Sequence, residues 1–280
     1  METPSPPPPF YALCASSQLD AQLANYAQTS RVVATAHFNE QRHCYGYYTA
    51  EGMLVHCGGL IEALRSMYYP HIDKDAQRGK KRRWTKVKLQ GSTASVGKRV
   101  DAQLVHCVAH GRPPNRPHKW TRALLAHWRG MGHTLQAAQL PVLLERWGRL
   151  TQADVITRDS ATGQLWLWEV KTGYPVGASR KNGVFALAPF SEVPCTVFAQ
   201  WQLQLHFTRR ALHEHAGVAV AQSRVIQIYG EKGQSEPIIK VHDPPAWLPP
   251  QAQTAVVGPM DLLLLREQKR RKLDEQNVKE

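Results

Sequence analysis

The chain has 280 residues, of which 42% are apolar, enough to bury one large core or a core domain with a smaller companion. No apolar run approaches the roughly 20 residues of a membrane-spanning helix, and the opening METPSPPPPF lacks the basic-then-apolar order of a secretory signal, so an intracellular product with no membrane partner is expected. A formal net charge of +13 and a pI near 9.7 favour a polyanionic partner, for which nucleic acid is the usual intracellular choice.

Residues 1–9 are proline-rich and read as a disordered tail. Residues 10–90 form an N-terminal region of unassigned role, with a helix expected at 17–28, extended pieces at 31–38 and 44–49, and a helix at 60–68. Its last part, KDAQRGKKRRWTKVK at 74–88, gathers basic side chains around Trp84. Three readings stay open there: nucleic-acid contact through Lys80, Lys81, Arg82, Arg83 and a stacking Trp84, a nuclear-import patch, or a solvated linker.

The core is expected over residues 91–245. A helical pattern from 92 to 110 carries Val100, Leu104, Cys107 and Val108 on one stripe and ends at Gly111 and Pro113-Pro114. Asp101 lies beside that stripe and, taken alone, reads as a surface aspartate. A second helix covers 119–129, strands follow at 135–144 and 153–157, and turn residues at 159–163 lead into a strand at 165–171. In LWLWEVKTG, Leu165, Leu167, Glu169 and Lys171 share one face while Trp166, Trp168 and Val170 share the other. The hairpin so formed brings Asp154 towards Glu169 and Lys171. A helix at 195–216 is apolar nearly all round, so the amides of Gln200, Gln202 and Gln204 must find partners. Strands at 223–229 and 237–241 complete the core, and 246–280 is a tail with the basic cluster QKRRK.

Asp154 and Glu169 offer the hard carboxylate oxygens that Mg²⁺ or Mn²⁺ prefers, and Asp101 is the best upstream candidate for a third. Lys171, on the same strand face as Glu169, is placed to orient an attacking water or to stabilise charge on a phosphate. The alternative for the pair is a surface salt bridge.

The run Asp154 … Glu169-Val170-Lys171 resembles the signature of the PD-(D/E)XK nuclease superfamily. VGKRVDAQL at 96–104 and VFAQWQLQLHFTRR at 197–210 are similar to the acidic helix and the glutamine helix of its phage lambda exonuclease-like branch. The resemblance spans about residues 91–229 and implies an α/β (α+β) fold: a restriction-endonuclease-like core, a mixed β-sheet flanked by helices, here with an N-terminal extension. It implies a Mg²⁺- or Mn²⁺-dependent deoxyribonuclease, an exonuclease of recombination, repair or replication. Asp101, Asp154 and Glu169 would hold metal with the Val170 carbonyl. Lys171 would be catalytic, Gln200 would position water or a metal-bound ligand, and Gln202 beside it would contact nucleic acid. Related iron–sulfur nucleases place three cysteines after the glutamine helix. Here Cys195 is the last of five scattered cysteines, so no cluster is expected. The helix acid is Asp where the branch has Glu, and Gln152-Ala153 replaces its Ser-Pro, which separates this chain from the branch's terminal-phosphate recognition. The competing classes are a catalytically idle DNA-binding protein with a nuclease-derived fold and a structural basic protein.

Overall fold

The computed structural model describes residues 10–15, 17–39, 44–60, 64, 93–144, 149–173, 196–230 and 236–245. The proline-rich start and the basic runs at 74–88 and 268–272, with Lys80, Lys81, Arg82, Arg83 and Trp84, lie outside these residues. The described elements, in chain order, are β1 (Ala12–Leu13), α1 (Ala21–Thr29), α2 (Arg31–Thr35), β2 (His37–Asn39), β3 (Cys44–Tyr48) and β4 (Leu54–Gly59). The chain continues with α3 (Thr93–His110), α4 (Lys119–Gly130), β5 (His133–Leu144), β6 (Arg149–Asp159), β7 (Leu165–Thr172), α5 (Val197–Ala216), β8 (Val220–Tyr229) and β9 (Ile238–His242).

These elements make a mixed sheet with helices on both faces. Strand β7 explains the layering, because its alternation sends Leu165 and Leu167 into one apolar layer and Trp168 and Val170 into the other. The first layer is closed by Leu23 and Tyr26 of α1 and by Leu205, Ala211 and Leu212 of α5; the second by Val100 and Leu104 of α3 and by Leu124 and Trp128 of α4. Helix α5 is apolar on nearly every side because it is buried on nearly every side. Thr196 caps its start by accepting the Ala199 amide at 3.0 Å, and Gly217 ends it in the left-handed conformation that a bulkier residue resists. Strands β7 and β8 run parallel with α5 as their crossover, while β5, β6 and β7 form an antiparallel meander.

The N-terminal region belongs to the same sheet. Strand β1 adds to the free edge of β5, and the antiparallel set β2, β3 and β4 joins β6 through a short parallel pairing at Gly58 and Gly59. Two expectations are corrected here. The stretch 31–38, expected to be extended, begins as helix α2, because the Ser30 side chain caps Val33 N and both Val32 and Val33 are buried on the core side. Leu54–Gly59, for which no element is expected, forms β4 despite its two glycines. Of the helix expected at 60–68, Leu60 and Leu64 are described, both helical and buried. Among the described residues no helix is long and apolar enough to cross a membrane.

Candidate active site

Strand β6 meets β5 along one edge. Along the other it meets two partners in turn: β4 at Arg149 and Leu150, then β7 from Val155 to Arg158. Between them, residues 151–154 have no ladder partner on that edge among the described residues. The last register pair of β6 with β7 is Val155 with Trp168, so the strands part at the step where Asp154 faces Glu169. Asp154 bridges the parting with its side chain: Oδ2 accepts the Val170 amide at 2.9 Å, the role a backbone carbonyl plays in a continuing ladder. The N–H and C=O of one strand residue leave on the same edge, so the Val170 carbonyl also faces this fork. Glu169, 1% exposed, and Lys171 follow on one face of β7, and the Lys171 ammonium contacts Glu169 Oε1. The buried Glu169 carboxyl is thus met by the Lys171 ammonium and, through a side-chain hydrogen bond, by Asp154.

Asp101 reaches the fork from α3. One turn before it, Gly97 lies so close to the end of β7 that a Cβ there would stand 2.9 Å from Thr172 Oγ1. The missing side chain therefore sets how near the helix comes to the strand. Burial, and then the Asp154 carboxylate, push Asp101 up to about 7 against the pull of Lys171. Burial and Asp154 likewise push Glu169 up to about 8, with Asp101 adding to the effect and Lys171 opposing it. Burial also raises Asp154, in spite of Lys171 and of the Val170 and Gln139 hydrogen bonds. Burial works against the charge of Lys171, yet its pKa is raised because Glu169, Asp154 and Asp101 all act on it. Among the described residues three acids and one ammonium share this spot, and negative charge is in excess only once the acids ionise.

Gln200 is buried in the first turn of α5, the helix that covers the face carrying Glu169 and Lys171. Gln202 is 1% exposed, and its Nε2 donates to the Asp243 carbonyl at 3.4 Å. The Oε1 atoms of Gln202 and Gln204 are buried without a protein partner among the described residues.

Three further side chains border the fork that sequence reasoning missed. Trp201 lies beside Lys171, with Nζ 5.7 Å from its ring centre. An aromatic at helical spacing reads as core, and nothing in its position signals the lysine. Tyr45, on β3, donates to Gln152 Oε1 at 2.8 Å, and its ionisation is disfavoured by burial and further by Asp154 and Glu169. No local pattern links it to a strand about a hundred residues away. Gln139, on β5, donates from Nε2 to Asp154 Oδ1 at 3.5 Å.

The chain matches no family model and no curated protein. The oxygens gathered at the fork are hard ones, three carboxylates and a backbone carbonyl, of the kind that Mg²⁺ and Mn²⁺ select. Burial first, and then their mutual repulsion, raise the proton affinity of Asp101 and Glu169; the fit to such an ion rests on the oxygen donors themselves. Among the described residues no three His, Cys, Asp or Glu side chains already stand at metal-binding spacing. Lys171 is the cation on Glu169, and an arriving ion would take over that carboxylate. Cys14, Cys57 and Cys107 are free thiols.

Proposed function

We propose that this protein is a divalent-metal-dependent DNA nuclease with a PD-(D/E)XK, restriction-endonuclease-like core built from α3, β5, β6, β7, α5 and β8, and that it acts as an exonuclease in DNA recombination, repair or replication. The observation that carries this reading is the convergence of Asp101, Asp154, Glu169 and Lys171, from one helix and two strands, on the fork where β7 leaves β6. In this reading Asp101, Asp154, Glu169 and the Val170 carbonyl hold Mg²⁺ or Mn²⁺. Such an ion would supply Lewis-acid activation of a water and would offset charge on the phosphodiester. Lys171, once released from Glu169, would direct its ammonium at the attacking water or at the phosphate oxygens, with the Trp201 ring beside it. Gln200 orients the water from the α5 side. The formal charge of +13 draws the polyanion in.

The test is end-labelled linear DNA against closed circles, with Mg²⁺ and with chelator. Linear DNA is degraded only with the metal, and closed circles are spared. Glu169→Ala and Lys171→Ala each lower the rate roughly 10²-fold or more; unchanged cleavage in both refutes the site. A second reading, an idle nuclease-derived DNA-binding protein, is favoured by the contact that commits Glu169 to Lys171. It is identified by salt-dependent DNA affinity with no cleavage under either condition.

A further inference from the structure

The ladder between β5 and β6 pairs successive residues from Ala137 with Ile156 to Leu144 with Arg149, and one step is missing, the step at which Gln139 faces Asp154. Both strands change face there. Ala137, Leu140, Val142 and Leu144 lie in the layer under α5, whereas strict alternation from Ala137 would place Gln139, Pro141 and Leu143 in it. On β6 the same layer holds Ile156 and Ala153, where alternation would select Ile156 and Asp154. Gln139 makes the turn-over: its φ of 54° is left-handed, the one positive φ at a residue other than glycine among the described residues. Glycine ordinarily supplies such a kink, and a glutamine in its place holds strained backbone. Its side chain reaches Asp154 Oδ1 at 3.5 Å, while the Val170 amide holds Oδ2 at 2.9 Å. The two oxygens of one carboxylate are thereby held from the two strands that flank it.

Resting on the nuclease reading, we propose that Gln139 is a positioning residue for Asp154: its left-handed backbone turns the aspartate out of both apolar layers into the fork, and its amide steadies the carboxylate that would hold the metal. Glycine would adopt this backbone with less strain but brings no amide, which gives the position a signature that a packing residue lacks. Stability and function move in opposite directions when glycine replaces the glutamine.

Three variants separate the two contributions. Gln139→Gly removes strain and amide, Gln139→Ala removes only the amide, and Gln139→Asn keeps an amide on a shorter arm at a residue that tolerates the left-handed region. The readouts are thermal unfolding in chelator, Mn²⁺ binding by calorimetry, and cleavage of linear DNA across a Mn²⁺ titration. The Gly variant is expected to melt at or above the parent, by up to about 4 °C, while Mn²⁺ affinity or cleavage falls roughly 10–100-fold. The Ala variant shows the same functional loss and melts below the Gly variant, and Asn recovers part of the function. Parent-like Mn²⁺ affinity and cleavage in the Gly variant overturn the role of Gln139. So does a Gly variant that melts well below the parent, since the side chain is then a packing element. A parent that neither binds Mn²⁺ nor cleaves DNA overturns the underlying function instead, and does so before any substitution is made.

Discussion

Glu169 and Asp101 keep their protons to pH values at which carboxylates in water have long lost them, about 8 and about 7 respectively, because burial and neighbouring negative charge favour the neutral forms. The unfolded chain titrates these groups near their ordinary values, roughly 4. Between those limits the folded state binds more protons than the unfolded one, so stability is greatest at the acid end of the window and is lost as pH rises towards 8. Chemical denaturation in chelator at pH 5.5, 7 and 8.5 should therefore show stability falling by at least about 1 kcal/mol, and Glu169→Gln should flatten the profile. Metal affinity runs the other way, since the ligands must be deprotonated, and rises over the same interval. A flat parent profile would mean that these carboxylates are not held neutral. The hairpin acids were legible because alternation and a turn place Asp154 near Glu169 without further knowledge. Asp101 was legible only through the resemblance. Its own pattern reads as surface, and the close approach of α3 that half-buries it depends on a glycine contact across the fold. Gln139 was not legible, since nothing in a glutamine specifies the sign of φ.

The elements are plainest in the sequence where one force decides them. Helices α3, α4 and α5 and strand β7 follow from apolar period and end signals, and their observed bounds lie within two residues of those expected. The sequence is silent where tertiary contacts decide. Strand β6 begins at Arg149 rather than Ala153, because Thr151 finds Thr208 of α5 at 3.1 Å and so can be buried. The contact between α3 and β7 makes a prediction at this scale. In a helix, replacing glycine by alanine favours folding by about 1 kcal/mol, but at Gly97 the new methyl group overlaps Thr172 Oγ1. Gly97→Ala should therefore destabilise the protein and lower cleavage about tenfold or more as Asp101 is displaced from the fork. With Thr172→Ala the hydroxyl is gone, and adding Gly97→Ala should then be stabilising. This change of sign, read by urea denaturation as a double-mutant cycle, reports the contact itself; two additive substitutions would show that α3 is free to shift.

At the scale of the whole molecule, the sequence suggests a boundary near residue 91, but the packing does not respect it. Strand β1 pairs with β5, Leu23 and Tyr26 lie in the same apolar layer as Leu140, Ala153 and Leu212, and the Tyr26 hydroxyl donates to the Pro141 carbonyl at 3.0 Å. Gln22 accepts the Ala219 amide at 2.7 Å, tying α1 to the start of β8. Burial of Leu23, Tyr26 and Val33 contributes roughly 1.5–3 kcal/mol each, a sum comparable with the whole net stability of an ordinary domain, about 5–15 kcal/mol. Removing residues 1–59 should therefore abolish cooperative unfolding instead of trimming an appendage, leaving a chain that binds ANS and has lost its near-ultraviolet signal. The loss would reach the candidate site as well, because Tyr45 and β4 border the fork from the side that β7 vacates. A truncated chain that melts cooperatively near the parent temperature would make residues 12–59 an added module. A cooperative fold that has lost cleavage alone would assign those residues to the fork and not to the core.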